Sequence, residues 1–274
     1  REVAPWPPYT RCEARLVNPQ VAASPCRRVS PSGTLAPLPM SDSSADHTPA
    51  PGDVIGERYR IVGTLGAGGI GVVCEAENTW TRRRVAIKLL QAKTAADPEQ
   101  LERFRVEAQT TSALRHPNIV DILDMGPDAT TGRLFIIQEL LDGDTLQALV
   151  DAHQPLSPRT AFDLMVPVMG ALAAAHAKGV LHRDIKPSNI FLAKDEHGEV
   201  TPKLIDFGLA KVLHGDDDRH KTRTGSIVGT PYYMAPEQAR GESGVDARID
   251  VWAVGVVLFE LMSGRVPFEG DNTL

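Results

Sequence analysis

The stretch that decides the fold is His182-Arg183-Asp184-Ile185-Lys186-Pro187-Ser188-Asn189. With each residue type taken at about one in twenty, a His-Arg-Asp triplet arises by chance in roughly one chain in thirty of this length. Two further motifs follow in the chain, Asp206-Phe207-Gly208 and Ala235-Pro236-Glu237. Because Asn189 and both motifs follow at fixed offsets, chance does not account for the set.

Upstream, Leu65-Gly66-Ala67-Gly68-Gly69-Ile70-Gly71-Val72-Val73 is rich in glycine. Taken alone, this pattern also fits an ordinary turn. A dinucleotide-binding site requires a helix directly after the glycines, whereas Val72–Glu77 is typical of a strand. No G-x-x-x-x-G-K-[ST] sequence is present, which excludes a P-loop. We therefore predict a loop between two strands, in which backbone without Cβ atoms closes over phosphates.

A lysine ends the apolar strand Val85-Ala86-Ile87-Lys88, 22 residues after Gly66. A lysine among non-polar neighbours requires an acidic partner. Glu107 is the candidate, on a helix that Asp97 caps. The alternative is that Glu107 pairs with Arg103 on its own helix.

These motifs, in this order and spacing, resemble those of eukaryotic-type serine/threonine protein kinases, most of all the bacterial members, over about residues 54 to 274. The resemblance implies an α+β, two-lobed kinase fold. Its small β-rich N-lobe, with one regulatory helix and the hinge, is expected at 53–141. Its mainly helical C-lobe is expected at 142–274. Family members continue with further helices, one of which supplies an arginine for the glutamate matching Glu237, so the C-lobe is expected to be incomplete.

The resemblance also assigns roles in transfer of the ATP γ-phosphoryl group to protein Ser/Thr hydroxyls. Asp184 orients the hydroxyl and accepts its proton, and Lys186 balances charge on the phosphoryl group. Lys88, held by Glu107, contacts the α- and β-phosphates. Asn189 and Asp206 are expected to bind Mg²⁺, with Mn²⁺ as the alternative metal. The residues expected to bind ATP are Leu65, Gly66, Ala67, Gly68, Gly69, Ile70, Gly71, Val73, Ala86, Lys88, Glu139 and Leu141.

Three hydroxyls upstream of Gly229 are candidate regulatory phosphosites: Thr222, Thr224 and Ser226. A phosphate there pairs with Arg183 and Lys211, and autophosphorylation of this loop is expected. The alternative for each hydroxyl is an ordinary solvated loop residue. Expected partners are protein substrates and a second copy for trans-autophosphorylation. The alternative to an active kinase is a truncated, weakly active or inactive ATP-binding or scaffold fragment.

Composition sets the remaining limits. The formal charge of −6 argues against a nucleic-acid partner. Ten of the 21 prolines lie in residues 1–52, so we expect a disordered tail there, with a proline-rich docking ligand as the alternative. The longest apolar stretch, Val251–Met262, is well short of the ~20 residues that span a bilayer. We expect a cytoplasmic chain, with any membrane anchor beyond residue 274.

Local patterns predict the secondary structure. Ser157-Pro158 is expected to begin a helix that Gly179 closes. Trp252, Phe259 and Met262, at helical spacing, are expected to be core. The predicted strands are Tyr59–Leu65, Val72–Glu77, Arg84–Leu90, Ile119–Met125 and Arg133–Leu140.

Overall fold

Six antiparallel strands form the larger sheet. The computed structural model describes residues 48–68, 71–90, 109–152, 155–207, 231–242 and 244–268. The strands are β1 Val54–Ile55, β2 Tyr59–Gly68, β3 Gly71–Asn78, β4 Arg84–Leu90, β5 Ile122–Pro127 and β6 Leu134–Glu139, and their order in the sheet is β1-β2-β3-β4-β6-β5. The five predicted strands are all present, and the greatest differences are that β2 ends, and β5 begins, three residues later than predicted.

Side-chain alternation gives this sheet two different faces. The cross-strand row Cys74, Ile87 and Ile137 is fully buried in one apolar cluster. The neighbouring row, Gly66, Val73 and Lys88, lies on the other face. One face thus builds the core of this lobe, and the opposite face carries the residues expected to meet the nucleotide.

A second antiparallel sheet has three strands, β7 Gly143–Thr145, β8 Ile190–Lys194 and β9 Val200–Leu204. They lie in the sheet in this order. The sequence patterns did not predict it, because such short strands contain too few residues for a period of two to stand out. It holds the segment between Asn189 and Asp206, the two expected metal-binding residues.

The helices are α1 Leu146–Ala152, α2 Pro158–His176, α3 Pro236–Ala239 and α4 Arg248–Ser263. As predicted, Ser157 caps α2 by accepting a hydrogen bond from the Thr160 N–H at 3.1 Å. Gly179, with φ of 75°, follows its end. Residues 109–112 are also helical.

Helices α2 and α4 pack together around the larger apolar core. The α4 residues Ala253, Val257 and Leu261 face this core. The prediction that Phe259 and Met262 are core is wrong for the part of the chain that the structure describes, because they are 40% and 37% exposed. They lie on the side of α4 turned away from α2. Among the described residues, no helix is long and apolar enough to cross a membrane.

Candidate active site

Three of the predicted catalytic and metal-binding residues lie within hydrogen-bonding distance of one another. Lys186 Nζ is 2.8 Å from Asp184 Oδ2. Asn189 Nδ2 donates to the same carboxylate oxygen at 2.9 Å and to the Asp184 carbonyl at 2.7 Å. The short 3₁₀ turn Pro187–Asn189 brings the amide back towards Asp184. Asp184 is therefore held in one orientation while its side chain stays 38% exposed.

A buried carboxylate on α4 holds the backbone of this loop. Asp250 is 1% exposed, and its two oxygens accept the main-chain N–H groups of His182 and Arg183 at 2.9 and 2.8 Å. Asp250 Oδ2 also lies 2.7 Å from His176 Nε2, at the end of α2. A carboxylate accepts and cannot donate, so His176 supplies the proton of this bond. One carboxylate thereby holds the loop that contains Asp184 against helices α2 and α4.

His182 has a structural role in this site. Its ring is fully buried and packs against Phe207, with centroids 4.6 Å apart. The Asp184 N–H donates to Nδ1 at 3.3 Å, which leaves Nε2 to donate to the Ile205 carbonyl at 3.0 Å. Burial lowers the pKa of His182, in keeping with a neutral ring. His182 therefore joins the loop containing Asp184 to the segment containing Asp206.

Two site residues adopt left-handed backbone conformations that side chains rarely favour. Arg183 has φ of 70° and Asp206 has φ of 61°. Such residues cost about 1–3 kcal/mol each and persist where surrounding contacts overdetermine them. At Arg183 those contacts are the bond to Asp250 and one from Gln238 Nε2 to the Arg183 carbonyl at 2.8 Å. The backbone strain is therefore located at Arg183 and Asp206, within the site itself.

The glycine-rich residues join β2 and β3, and Gly68 pairs with Gly71 at the turn. This arrangement confirms a strand on each side of the loop. Gly71 has φ of 153°, and a Cβ there would lie 2.0 Å from the Leu89 carbonyl oxygen. Glycine is required at this position because neighbouring backbone fills the space of a side chain.

Lys88 is 4% exposed, and its Nζ lies 2.6 Å from Asp206 Oδ1. Because Lys88 lies on β4 and Asp206 follows β9, this ion pair connects the two sheets. The predicted partner Glu107 lies outside the described residues, as do Gly69, Ile70, Thr222, Thr224 and Ser226. The pairing of Lys88 with Glu107 therefore stays a prediction.

The residues expected around adenine lie at the end of the larger sheet. Ala86 pairs with Gln138 and is half-buried, as are Glu139 and Leu141. Leu65 is 54% exposed. Ala67, the remaining described member of the predicted ATP set, pairs with Val72 in the β2–β3 hairpin and is exposed.

Asn189 and Asp206 lie on connected stretches of chain, because the Ile205 N–H donates to the Asn189 carbonyl at 3.0 Å. With Nδ2 of Asn189 engaged by Asp184, its amide oxygen is the atom that remains for a metal. A carboxylate and an amide oxygen are hard ligands of the kind that Mg²⁺ takes together with water and phosphate. The donor set therefore fits the ion.

His176 and Lys203 are among the residues of this region that were not assigned from the sequence. Lys203 Nζ lies 2.6 Å from Glu139 Oε1. Both contacts join residues more than 60 positions apart, and neither lysine nor histidine is unusual at a strand or helix end. No local signal identifies such partners.

The comparisons with known proteins agree with this geometry. The family model described as "Protein kinase domain" matches residues 59–274, and the chain belongs to this family. The chain is similar to serine/threonine-protein kinase Pkn1 of Myxococcus xanthus, with 44% identity over 214 residues, which cover 78% of this chain and 30% of Pkn1. It is similar to serine/threonine-protein kinase PrkC of Bacillus subtilis (strain 168), with 41% identity over 223 residues, 81% of this chain and 33% of PrkC.

Solved structures show the same fold. The kinase domain of Mycobacterium tuberculosis PknI superposes with a TM-score of 0.64 and 28% sequence identity, covering 81% of this chain and 80% of that chain. The two-lobed protein kinase fold predicted from the sequence is confirmed. The chain spans about a third of the length of the curated relatives it matches.

Proposed function

We propose that this chain is a protein serine/threonine kinase that transfers the γ-phosphoryl group of ATP to Ser/Thr hydroxyls of proteins. The observation that carries the proposal is that two groups of charged and polar side chains lie on connected stretches of chain. One group is Asp184 with Lys186 and Asn189, and the other is Lys88 with Asp206. Phosphoryl transfer requires positioning and charge neutralisation more than covalent chemistry, and these groups supply both. The N-lobe with its hinge corresponds to 53–141 and the C-lobe to 142–274.

Each charged group has a distinct task in the proposed reaction. The Asp184 carboxylate orients the acceptor hydroxyl and takes its proton, while Asn189 and Lys186 hold that carboxylate in place. Lys88 binds the α- and β-phosphates from the sheet. Asn189 and Asp206 would hold Mg²⁺, or Mn²⁺ in its place, which neutralises phosphate charge when bound. Lys186 offers a second positive charge at the transferred group.

The partners in this proposal are protein substrates, together with a second copy of the chain for trans-autophosphorylation. We propose Thr222 and Thr224, ahead of Ser226, as the sites of that phosphate. Support comes from their spacing upstream of Gly229 and from Arg183, whose guanidinium is a receptor for phosphate. Mass spectrometry of the autophosphorylated chain should find phosphate on Thr222 or Thr224 first.

The test of function compares Asp184→Asn with wild type in transfer of labelled phosphate from Mg-ATP to the chain and to an added protein. The substitution removes the proton acceptor with little change in volume, so we expect transfer to fall by about 10²-fold or more. Mg-ATP affinity, measured by calorimetry, should change less than about threefold because Asp184 acts on the acceptor. Lys88→Met should instead weaken binding of Mg-ATP.

Asp163→Asn is the matched control, because Asp163 is an exposed acid on α2. It should leave both measurements at their wild-type values. Equal transfer by Asp184→Asn and Asp163→Asn would show that Asp184 is not the proton acceptor. Binding of Mg-ATP by wild type without any transfer would instead favour the alternative of an ATP-binding or scaffold fragment.

A further inference from the structure

A second ion pair lies close to the one between Lys88 and Asp206, with its charges reversed. Lys203 precedes Asp206 by three residues, and its Nζ is 2.6 Å from Glu139 Oε1. Glu139 pairs in register with Val85, which itself precedes Lys88 by three residues. Counted through this register, Lys88 on β4 and Glu139 on β6 lie three positions apart. Their partners, Asp206 and Lys203, are also three residues apart in the chain.

The two ion pairs reach the 203–206 segment from different directions. Alternate residues of a strand face opposite sides, so the odd spacing places Lys88 and Glu139 on opposite faces of the sheet. Three residues of extended chain span about 10 Å. The two ion pairs therefore hold the charged side chains at the two ends of this segment.

The Glu139 carboxylate is partly buried and is held in one orientation by hydrogen bonds. Its side chain is 22% exposed and that of Lys203 is 17% exposed, so solvent screens the pair far less than a surface pair. Oε1 of Glu139 also accepts the Asp121 N–H at 2.9 Å, and the Glu139 N–H donates to the Asp121 carbonyl at 3.0 Å. These bonds restrict the carboxylate to the orientation that meets Lys203.

The backbone around Lys203 is anchored at the same place. Asn118 Nδ2 donates to the Pro202 carbonyl at 2.8 Å, and the Leu204 N–H donates to the Asn118 carbonyl at 2.8 Å. The Val120 N–H in turn donates to the Leu204 carbonyl at 3.0 Å. The strand that leads into Asp206 is thus bound to the residues just before β5, and Lys203–Glu139 is the charged part of that junction.

We propose that the Lys203–Glu139 ion pair is a positioning pair for Asp206, setting where its carboxylate meets Lys88 and Mg²⁺. This inference rests on the proposed function and adds a role for two side chains, since Glu139 was predicted only to bind ATP and Lys203 was not assigned. Loss of the pair should leave the catalytic carboxylate Asp184 in place, because Asp184 is held by Lys186, Asn189 and the loop bound to Asp250.

The test measures how much Mg²⁺ the chain requires. In Lys203→Met the Mg²⁺ concentration for half-maximal phosphoryl transfer, at fixed ATP, should rise about three- to tenfold, with kcat at saturating Mg²⁺ falling less than about threefold. The stabilisation of the chain by ATP in a thermal melt should need the same increase in Mg²⁺, which gives a readout independent of transfer. Lys203→Arg should keep the wild-type requirement, since it keeps the charge.

Arg82→Met is the matched control, because it breaks an exposed ion pair with Glu77 in the larger sheet. It should leave the Mg²⁺ requirement unchanged. An equal Mg²⁺ requirement in Lys203→Met and Arg82→Met would overturn the inference, provided that wild type transfers phosphate. Failure of wild type to bind or transfer would contradict the proposed function instead.

Glu139→Gln covers the case in which Lys203→Met does not fold. The Gln amide oxygen can still accept the Asp121 N–H, while the charge that meets Lys203 is removed. A raised Mg²⁺ requirement in this variant, in the same assay, would support the inference, and a wild-type requirement would contradict it.

Discussion

Helix α4 carries two buried acids, Asp250 and Glu260, and their surroundings differ sharply. Asp250, 1% exposed, accepts two main-chain N–H groups and the His176 ring N–H. Glu260 is 8% exposed, and within the described residues one side-chain hydrogen bond reaches it, from the Tyr233 hydroxyl at 2.7 Å. Burial raises the pKa of Glu260, and the charge of Asp151 adds to the rise.

The difference shows that the number of hydrogen-bond donors around a buried carboxylate decides how costly its charge is. Removing a charge from water costs free energy, and only well-placed donors recover it. Asp250 has donors on both oxygens, so its charge organises the loop containing Asp184. Burial also raises the pKa of Tyr233, so its hydroxyl stays protonated and can donate to Glu260. Because Tyr233 is a single neutral donor, the charged form of Glu260 stays costly in free energy.

The largest effect in this comparison is expected for Asp250→Asn. An amide in place of the carboxylate turns an NH₂ group towards main-chain N–H donors, so at least one buried donor loses its acceptor. We expect the free energy of unfolding to fall by about 3 kcal/mol and phosphoryl transfer to fall by about tenfold or more. Chemical denaturation and the transfer assay measure both, with Asp163→Asn as control. A change below 1 kcal/mol would mean that Asp250 does not organise the loop.

A smaller effect is expected for His176→Leu, which removes one of the three donors to Asp250 and puts an apolar side chain of similar size in its place. The free energy of unfolding should fall by about 1–2 kcal/mol. His176→Gln should recover part of this loss, because its amide can donate to the carboxylate. His197→Leu, in the exposed β8–β9 turn, is the control and should change stability little. Equal stability of His176→Leu and His197→Leu would show that the hydrogen bond from His176 to Asp250 does not stabilise the fold.

The smallest effect, of opposite sign, is expected for Glu260→Gln. The raised pKa means that the folded chain binds this proton more tightly than the unfolded chain. The stability linked to Glu260 is therefore full below its unfolded pKa and is lost as the pH rises through its folded pKa. Gln keeps an acceptor for Tyr233 without a charge, so it should raise the free energy of unfolding at pH 7.5 by up to about 1 kcal/mol.

At pH 5 the gain from Glu260→Gln should be smaller, because the wild-type carboxyl is closer to its protonated form. Thermal melts at the two pH values test this, and Glu242→Gln, an exposed acid, should give no pH-dependent difference. A loss of stability at both pH values would mean that the carboxylate of Glu260 is better satisfied than its one described donor indicates.

Local patterns predicted the larger sheet well, because its strands are long enough for a period of two and are bounded by glycine. They predicted α2 from Ser157, since capping is a contact over three residues. They failed for β7, β8 and β9, which are held by pairing with distant chain. They also failed for Phe259 and Met262, because the run 251–259 of α4 is apolar on every side and gives no sign of which side faces its neighbour.

The sequence by itself determined the chemistry of this protein: which residues carry the carboxylates, amide and lysines, and in what order they come. That order sufficed for the family, because motif spacing reflects the geometry that phosphoryl transfer requires. The tertiary structure alone decided which charges meet, as in Lys88 with Asp206, Lys203 with Glu139 and His176 with Asp250. These contacts join chain positions 64 to 118 residues apart, and only folding brings such positions within the few ångströms over which ion pairs and hydrogen bonds act.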